Sequence, residues 1–215
     1  MNRIIFFIAT LCCIVLAACS DTQTPGDAQQ SATKAGVEED WQKTIEQGTP
    51  AIKQRFIEFL TAHANEPFIA ENIDLSQAEA FEVKGIPVYN ITFEDFGKMM
   101  DEDAVWRTMK VDPKQAVFFL MHQGRVVFSS TAAYDNGAGK DINGLGFSPD
   151  AQFRPLSEAL AQGKSLMKLN VAYNAVGQSY GLIAVQQNGV WYDIHDTQTT
   201  LAASVLAKKA QFAAK

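Results

Sequence analysis

A pentapeptide in the C-terminal part of the chain has the spacing of a serine nucleophile. Gly177-Gln178-Ser179-Tyr180-Gly181 fits the pattern G-x-S-x-G, and Asp193 and His195 follow it. A serine hydroxyl becomes nucleophilic when a histidine takes its proton and a carboxylate orients that histidine. In such a triad Ser179 would be the nucleophile, His195 the base, and Asp193 or Asp196 the orienting carboxylate.

The residues around this pentapeptide argue against that chemistry. In α/β-hydrolases, whose motif the pentapeptide resembles, the serine lies on a strained turn between a strand and a helix. Here Tyr180 to Gln186 are mostly β-forming residues that lead into the turn Asn188-Gly189, so a strand follows the serine. The chain between Ser179 and His195 is too short for parallel βαβ units. A serine hydrolase is therefore a remote alternative, and we expect no catalytic residues.

Metal and phosphate motifs are incomplete. The three histidines, His63, His122 and His195, are far apart and share no ligand spacing. The segment Asp135 to Asp141 lacks the aspartate spacing and the closing glutamate of a calcium-binding EF-hand. Gly139-Lys140 lacks the first glycine and the serine or threonine of a phosphate-binding loop. We expect neither a metal site nor a cofactor.

The N-terminus has the pattern of a signal peptide. Arg3 supplies a positive charge, and an apolar run from Ile4 to Leu16 follows. A transmembrane helix needs about 20 apolar residues, and this run ends too early at Ser20 and Asp21. The run is followed by Leu16-Ala17-Ala18-Cys19, which resembles the lipobox of bacterial lipoproteins.

The lipobox resemblance implies cleavage before Cys19 and acylation of that cysteine. At about 0.8 kcal/mol per buried methylene, two or more acyl chains anchor a protein stably to a membrane. Ser20 stands where an aspartate retains many lipoproteins in the inner membrane, which implies the outer membrane, facing the periplasm. The alternative is an ordinary secretory signal cut after Ala18.

The sequence divides into three parts. Residues 1–18 are the signal peptide, residues 19–40 carry the lipidated cysteine and a polar, flexible tether, and residues 41–215 form a single domain. Cys12 and Cys13 leave with the signal peptide, so the domain has no thiol. The formal net charge is −6, with no cluster of basic residues. We therefore expect membrane contact through the anchor at Cys19 and no binding to nucleic acid.

Hydrophobic periodicity predicts an α+β fold. N-terminal helices and a C-terminal helix pack on a mostly antiparallel sheet, and the turns Gln123-Gly124 and Asn188-Gly189 each join a hairpin. Trp41 to His63 are interpreted as two helices, with Thr49-Pro50 opening the second. The other expected elements are strands at Phe81 to Thr92 and Leu166 to Tyr173, and helices at Phe93 to Met100, Pro155 to Gln162 (closed by Gly163) and Leu201 to Phe212.

The order of these elements resembles that of extracytoplasmic Cache and PAS-like sensor domains. The resemblance covers about residues 115–195 and rests on Ala116 to Phe119, Gly124 to Ser130, Gly139 to Ile142 and Phe153 to Leu160. It implies a long loop after the first hairpin and a pocket between that loop, the helix and the last three strands. Because Cache sensors usually sit in transmembrane receptors, we expect any signal to pass to a separate partner. The implied ligand contacts are Tyr134, Asp135, Arg154, Tyr173 and Tyr180.

Two functions remain open. The first is a non-enzymatic ligand-binding or sensor-like domain, for which we expect a closed pocket under Tyr134 to Phe147. The second is an envelope scaffold or assembly factor that binds another protein. That function requires an exposed apolar patch of several hundred Å² on the Trp41 to His63 helices.

Overall fold

A computed structural model describes residues 25–135, 138–146 and 150–213, with side chains described for residues 41–133 and 154–213. Cys19 and the signal peptide lie outside the described residues. Backbone contacts divide the chain into two units, Met1–Ala35 and Gly36–Lys215. The helices are α1 (Pro25–Ala62), α2 (Pro67–Asn72), α3 (Phe93–Lys98), α4 (Glu102–Thr108), α5 (Asp150–Ala161) and α6 (Leu201–Ala213), with a 3-10 turn at Leu75–Ala80. The strands are β1 (Glu82–Ile91), β2 (Lys110–His122), β3 (Arg125–Asp135), β4 (Ala138–Gly146), β5 (Leu166–Ala172), β6 (Ser179–Gln187), β7 (Val190–Asp193) and β8 (Asp196–Thr200).

The described strands form one eight-stranded sheet in the order β4-β3-β2-β1-β5-β6-β7-β8. All neighbouring strands are antiparallel except β1 and β5, which run parallel from Val88 opposite Lys168 to Ile91 opposite Val171. A two-residue turn can join antiparallel neighbours, as between β2 and β3 and between β6 and β7, whereas the parallel pair needs a crossover. The predicted α+β class, with helices on a mostly antiparallel sheet, is confirmed.

Both predicted hairpins form, for a local reason. Gln123 and Gly124 have φ values of 51° and 76°, and Asn188 and Gly189 have values of 51° and 81°. Positive φ at both central residues is the signature of a type I′ turn, whose twist matches that of the flanking strands. The turns therefore fix the pairing of β2 with β3 and of β6 with β7.

Two strands form where the sequence predicted none. Residues of the expected long loop form β4, which pairs with β3, and Asp196–Thr200 form β8 at the opposite edge of the sheet. Glycine, asparagine and aspartate are depleted in strands, so β4 has little intrinsic tendency to extend. Its pairing with β3 outweighs that propensity, and the prediction of a loop over these residues is wrong.

Helix α1 is longer than the sequence predicted. It begins at Pro25, within the expected tether, and continues through Gly48 and Pro50 as one helix instead of two. Thr49 donates from Oγ1 to the carbonyl of Ile45 at 3.0 Å, as a residue inside a helix does, and so does not act as an N-cap. Pro50 removes one backbone hydrogen bond, but apolar residues on both sides of it are buried in one cluster and hold the helix together.

The apolar stripe of α1 is core. Trp41, Ile45, Ile52, Phe56 and Leu60 are buried with residues of β1, β2 and β3. The scaffold hypothesis required an exposed apolar patch on these helices, and the stripe does not provide it.

The sheet carries helices on both faces. On the face that holds the α1 stripe, residues of α3, α4 and α6 form a second cluster with β1, β5 and β6. On the opposite face, Leu156 and Leu160 of α5 pack with Val117, Leu166 and Val185. None of the helices in residues 25–135, 138–146 and 150–213 has the length and hydropathy of a membrane span.

Candidate functional site

The structure does not assemble the serine triad. Ser179, the first residue of β6, lies opposite Ala172, whereas Asp193 pairs with Ala184. Five strand positions separate Ser179 from Ala184, which corresponds to about 17 Å. Asp193 accepts the backbone N–H of His195 at 3.0 Å through Oδ1, so this carboxylate shapes the turn after β7. The imidazole of His195 is exposed to solvent.

Asp196, the other candidate orienting residue, also serves a turn. Its carboxylate accepts hydrogen bonds from Thr199 Oγ1 at 2.7 Å and from the backbone N–H of Gln198 at 3.1 Å. These bonds favour the charged form and lower the pKa of Asp196. Next to this turn, Thr200 caps α6 by accepting the N–H of Ala203 at 3.2 Å.

Tyr173 and Tyr180, two of the predicted ligand contacts, pack against each other. Tyr173 directly follows β5, and Tyr180 is the second residue of β6. Their ring centroids lie 6.3 Å apart. Phe212 of α6 stacks on Tyr173 at 4.2 Å with an interplanar angle of 3°, and it lies 5.7 Å from Tyr180. Phe96 of α3 meets Tyr180 edge to face at 6.3 Å. These aromatic contacts dock α6 onto the sheet and fill the space beside the two tyrosines.

The hydroxyl of Tyr180 is an unusual feature of this cluster. Its oxygen is shielded from solvent and has no hydrogen-bond partner among the described residues. Burial disfavours the tyrosinate and raises the pKa of Tyr180 well above its ordinary value of 10.0. The side chain therefore contributes to the core mainly through its ring.

We expect Tyr180→Phe to leave the free energy of unfolding unchanged or to raise it by about 1 kcal/mol, because a buried hydroxyl without a partner costs stability. Because the pKa of Tyr180 is higher in the folded than in the unfolded protein, wild type has its full stability below the unfolded pKa of about 10. It loses stability as the pH rises from there through the folded pKa. The advantage of the variant should therefore grow above pH 10. Urea unfolding at neutral and alkaline pH measures both effects.

Tyr173→Phe is the matched control. The hydroxyl of Tyr173 donates to Gln178 Oε1 at 3.3 Å, so its removal loses a hydrogen bond. A Tyr180→Phe protein clearly less stable than wild type at neutral pH would mean that the hydroxyl has a partner in solution.

Arg154 lies apart from the two tyrosines. It is on α5, whose apolar residues pack on the opposite face of the sheet from the cluster that contains Tyr173 and Tyr180. Its Nε donates to Glu158 Oε1 at 3.2 Å in an exposed pair one helical turn apart. Such pairs contribute little to stability, so an anion can compete with Glu158 for the guanidinium. Arg154 lies on the other face of the sheet from Tyr173 and Tyr180.

A half-open pocket of about 440 Å³ lies between α5 and the turn that joins β2 to β3. Arg125 and Arg154 both line it, together with Glu158. Guanidinium groups bind carboxylates and phosphates through paired hydrogen bonds. The lining residues are Gly124, Arg125, Arg154, Ser157, Glu158 and Ala161.

The position of α5 against this turn is fixed by a buried polar contact. The hydroxyl of Ser157 accepts the backbone N–H of Val126 at 2.9 Å, and Ser157 itself is buried. Gly163 closes the helix at a φ of 64°, as predicted, and the N–H of Lys164 donates back to the carbonyl of Ala159. Arg125 and Ser157 could not be recognised from sequence, because the contact that brings α5 to the turn before Val126 joins residues 31 positions apart.

For the other two predicted ligand contacts, Tyr134 and Asp135, the structure describes only the backbone. Tyr134 and Asp135 end β3, where they pair with Gly139 and Ala138 of β4. The side chains of the whole segment expected to cover a closed pocket, residues 134–147, lie outside the described residues.

In the described parts of the chain, no group of three or more histidine, cysteine, aspartate or glutamate residues could hold a metal ion. His63 stacks on Phe59 at 4.1 Å, and His122 meets the ring of Phe81 edge to face at 5.2 Å.

Comparisons of the chain with protein-family models, with curated proteins and with solved structures found no match.

Proposed function

We propose that this chain is an outer-membrane lipoprotein, anchored through Cys19 and facing the periplasm, whose domain binds a small anionic molecule without catalysing its conversion. The pocket bounded by Arg125 and Arg154 supports the binding function. Its volume is within the range of small-molecule sites, and its two guanidinium groups favour a carboxylate or phosphate ligand. The lipobox resemblance and Ser20 support the location.

The anchor can be tested with one substitution. We expect Cys19→Ala to abolish incorporation of radiolabelled palmitate and to move the protein from the membrane fraction to the soluble fraction, because no acyl chain can then be attached. Ser20→Ala is the matched control and should remain labelled and membrane-bound. A Cys19→Ala protein that still carries palmitate would contradict the proposed anchor.

Ligand binding can be tested by thermal unfolding of the full chain in detergent with a panel of organic acids, sugar phosphates, nucleotides and amino acids. A ligand at about 100 times its dissociation constant adds roughly 2.7 kcal/mol, which corresponds to a shift of roughly 5 to 10 °C for a domain of this size. Arg154→Gln should reduce that shift by at least half, because it removes one of the two cations.

Arg107→Gln is the control for this experiment. Arg107 of α4 also forms an exposed ion pair, with Asp101 at 3.7 Å. It does not line the pocket. A shift that Arg154→Gln and Arg107→Gln leave equally intact would place the ligand elsewhere.

A panel without any shift would instead favour the alternative, an envelope scaffold or assembly factor. In that case the first apolar side chains to examine are Phe93, Met100 and Val176, which are 42%, 85% and 82% exposed. Phe93 and the loop that carries Val176 follow β1 and β5. These two strands are parallel, so their C-terminal ends lie at the same end of the sheet.

A further inference from the structure

A row of polar side chains crosses β2, β1 and β5 on one face of the sheet. Asn90 lies opposite Asn170, which lies opposite Gly181 of β6. The amide of Asn170 donates to Asn90 Oδ1 at 3.2 Å, and the amide of Asn90 donates to Asp112 Oδ2 at 3.0 Å. Because side chains alternate along a strand, this row lies on the face opposite to Leu169 and Val171, which pack with α3, α4 and α6.

The hydrogen bonds give this row a direction. An ionised carboxylate only accepts hydrogen bonds, so Asp112 fixes the NH2 group of Asn90 toward itself. Oδ1 of Asn90 then faces Asn170 and accepts its NH2 group. Oδ1 of Asn170 is left at the end of the row, 3.6 Å from the position that a Cβ atom on Gly181 would take. The row therefore presents an oriented hydrogen-bond acceptor above Gly181.

Lys168 borders the same space. Its Cε lies 3.5 Å from that Cβ position, and its direct neighbours across the sheet are Val88 and Ile183. The apolar surroundings desolvate the ammonium and lower the pKa of Lys168. Among the described residues, no carboxylate pairs with it. A half-buried, unpaired cation is stabilised by an anion that reaches it from solvent.

Gly181 leaves this space open. The residue is exposed and carries no side chain, so the gap between Lys168 and Asn170 is reached from solvent. A ligand that fills it meets a cation on one side and a carbonyl oxygen on the other. The matching ligand has an anionic group and a hydrogen-bond donor on neighbouring atoms.

We propose that the sheet face over Gly181 is a second binding site, separate from the pocket at Arg154, for small carboxylates that carry a hydrogen-bond donor on the adjacent carbon. The α-amino acids and α-hydroxy acids have this chemistry. The carboxylate pairs with Lys168, and the adjacent ammonium or hydroxyl group donates to Asn170 Oδ1. Asp112 and Asn90 hold that acceptor in place.

The test is competitive acetylation of the full chain, followed by mass spectrometry of the peptide that contains Lys168. The probes are L-alanine, L-lactate, propionate (which lacks the donor) and L-alanine methyl ester (which lacks the carboxylate). We expect saturating L-alanine or L-lactate to slow acetylation of Lys168 about tenfold, and the other two probes to have little effect. Lys84, an exposed lysine on β1, is the internal reference. Because the amino groups of L-alanine and its methyl ester also consume the reagent, the acetylation of Lys168 is expressed relative to that of Lys84 in each sample.

Two variants locate the binding. Gly181→Val fills the gap while keeping both partners, and a Cβ there meets its nearest neighbours only at 3.5 Å or more, so the strand can accommodate it. We expect Gly181→Val and Lys168→Met each to weaken L-alanine binding, measured by calorimetry, about 10- to 100-fold. Lys84→Met and Arg154→Gln should leave it unchanged.

Several results would overturn the proposal. These are equal acetylation of Lys168 with and without all four probes, equal protection by propionate and L-lactate, and wild-type affinity in both Gly181→Val and Lys168→Met. Protection of Lys168 that Arg154→Gln abolishes would place the ligand in the other pocket. Because the acetylation experiment uses the wild-type chain, its outcome does not depend on the folding of any variant.

Discussion

Phe56→Ala should lower the free energy of unfolding by about 3 to 5 kcal/mol, the usual cost of removing a buried aromatic side chain. Phe56 is fully buried in the centre of the α1 stripe, and its ring meets that of Phe128 edge to face at 6.4 Å. Strands on both sides of β3 hold it in register, so we expect the space left by the ring to stay open. Urea unfolding of the full chain measures the loss.

The control for this experiment is Gln54→Ala on the same helix. Gln54 is exposed and loses only a hydrogen bond to Glu58, so we expect a change of about 0.2 to 0.5 kcal/mol. Equal stability of the two variants would mean that the stripe does not face the sheet. It would then be available to a protein partner, as the scaffold hypothesis requires.

Gly85→Ala should cost about 1 to 3 kcal/mol although it adds only a methyl group. A Cβ atom at this position would lie 2.3 Å from Cγ2 of Ile45 and 2.7 Å from a ring carbon of Phe118. Both neighbours are buried, so neither side chain can move aside without disturbing others. The absence of a side chain at Gly85 allows α1 to approach β1 closely. Thermal unfolding compared with wild type measures the loss.

Gly181→Ala provides the comparison on the same sheet. The added Cβ has no neighbour closer than 3.5 Å, so we expect a change within about 0.5 kcal/mol. If Gly85→Ala and Gly181→Ala unfolded at the same temperature, the close packing of α1 on β1 would be wrong.

The elements predicted correctly from sequence are those whose signals are local. A two-residue turn with Asn188-Gly189 defines a hairpin by its own backbone preferences, and Gly163 ends a helix in the same way. By contrast, β4 is rich in glycine, asparagine and aspartate, which are poor strand formers, and it extends only because β3 supplies hydrogen-bond partners. The same limit explains why Gly48 and Pro50 were interpreted as a helix boundary, since the packing that carries α1 through them is long-range.

The candidate sites show a similar division. Arg154 was predicted and does line a pocket, but its neighbour Arg125 comes from a hairpin that only the tertiary fold brings to α5. Tyr173 and Tyr180 were predicted to contact a ligand; the structure shows their rings packed against Phe212, and the ligand contact stays a prediction. Lys168 has no recognisable motif. Its role in the proposed second site depends on strand register, which pairs it with Val88 and Ile183 and places Gly181 near its side chain.

The parallel pairing of β1 with β5 has a consequence for the order in which the sheet assembles. Asn90 and Asn170 are 80 positions apart, whereas the hairpins close over two residues and form in about 1 to 10 μs. Contacts between distant positions form late, because the entropy of closing the intervening loop is lost before the contact is made. Until β5 pairs with it, β1 is the open edge of a half-built sheet, and such edges promote aggregation. We expect the folding chain to depend most on chaperones during this interval.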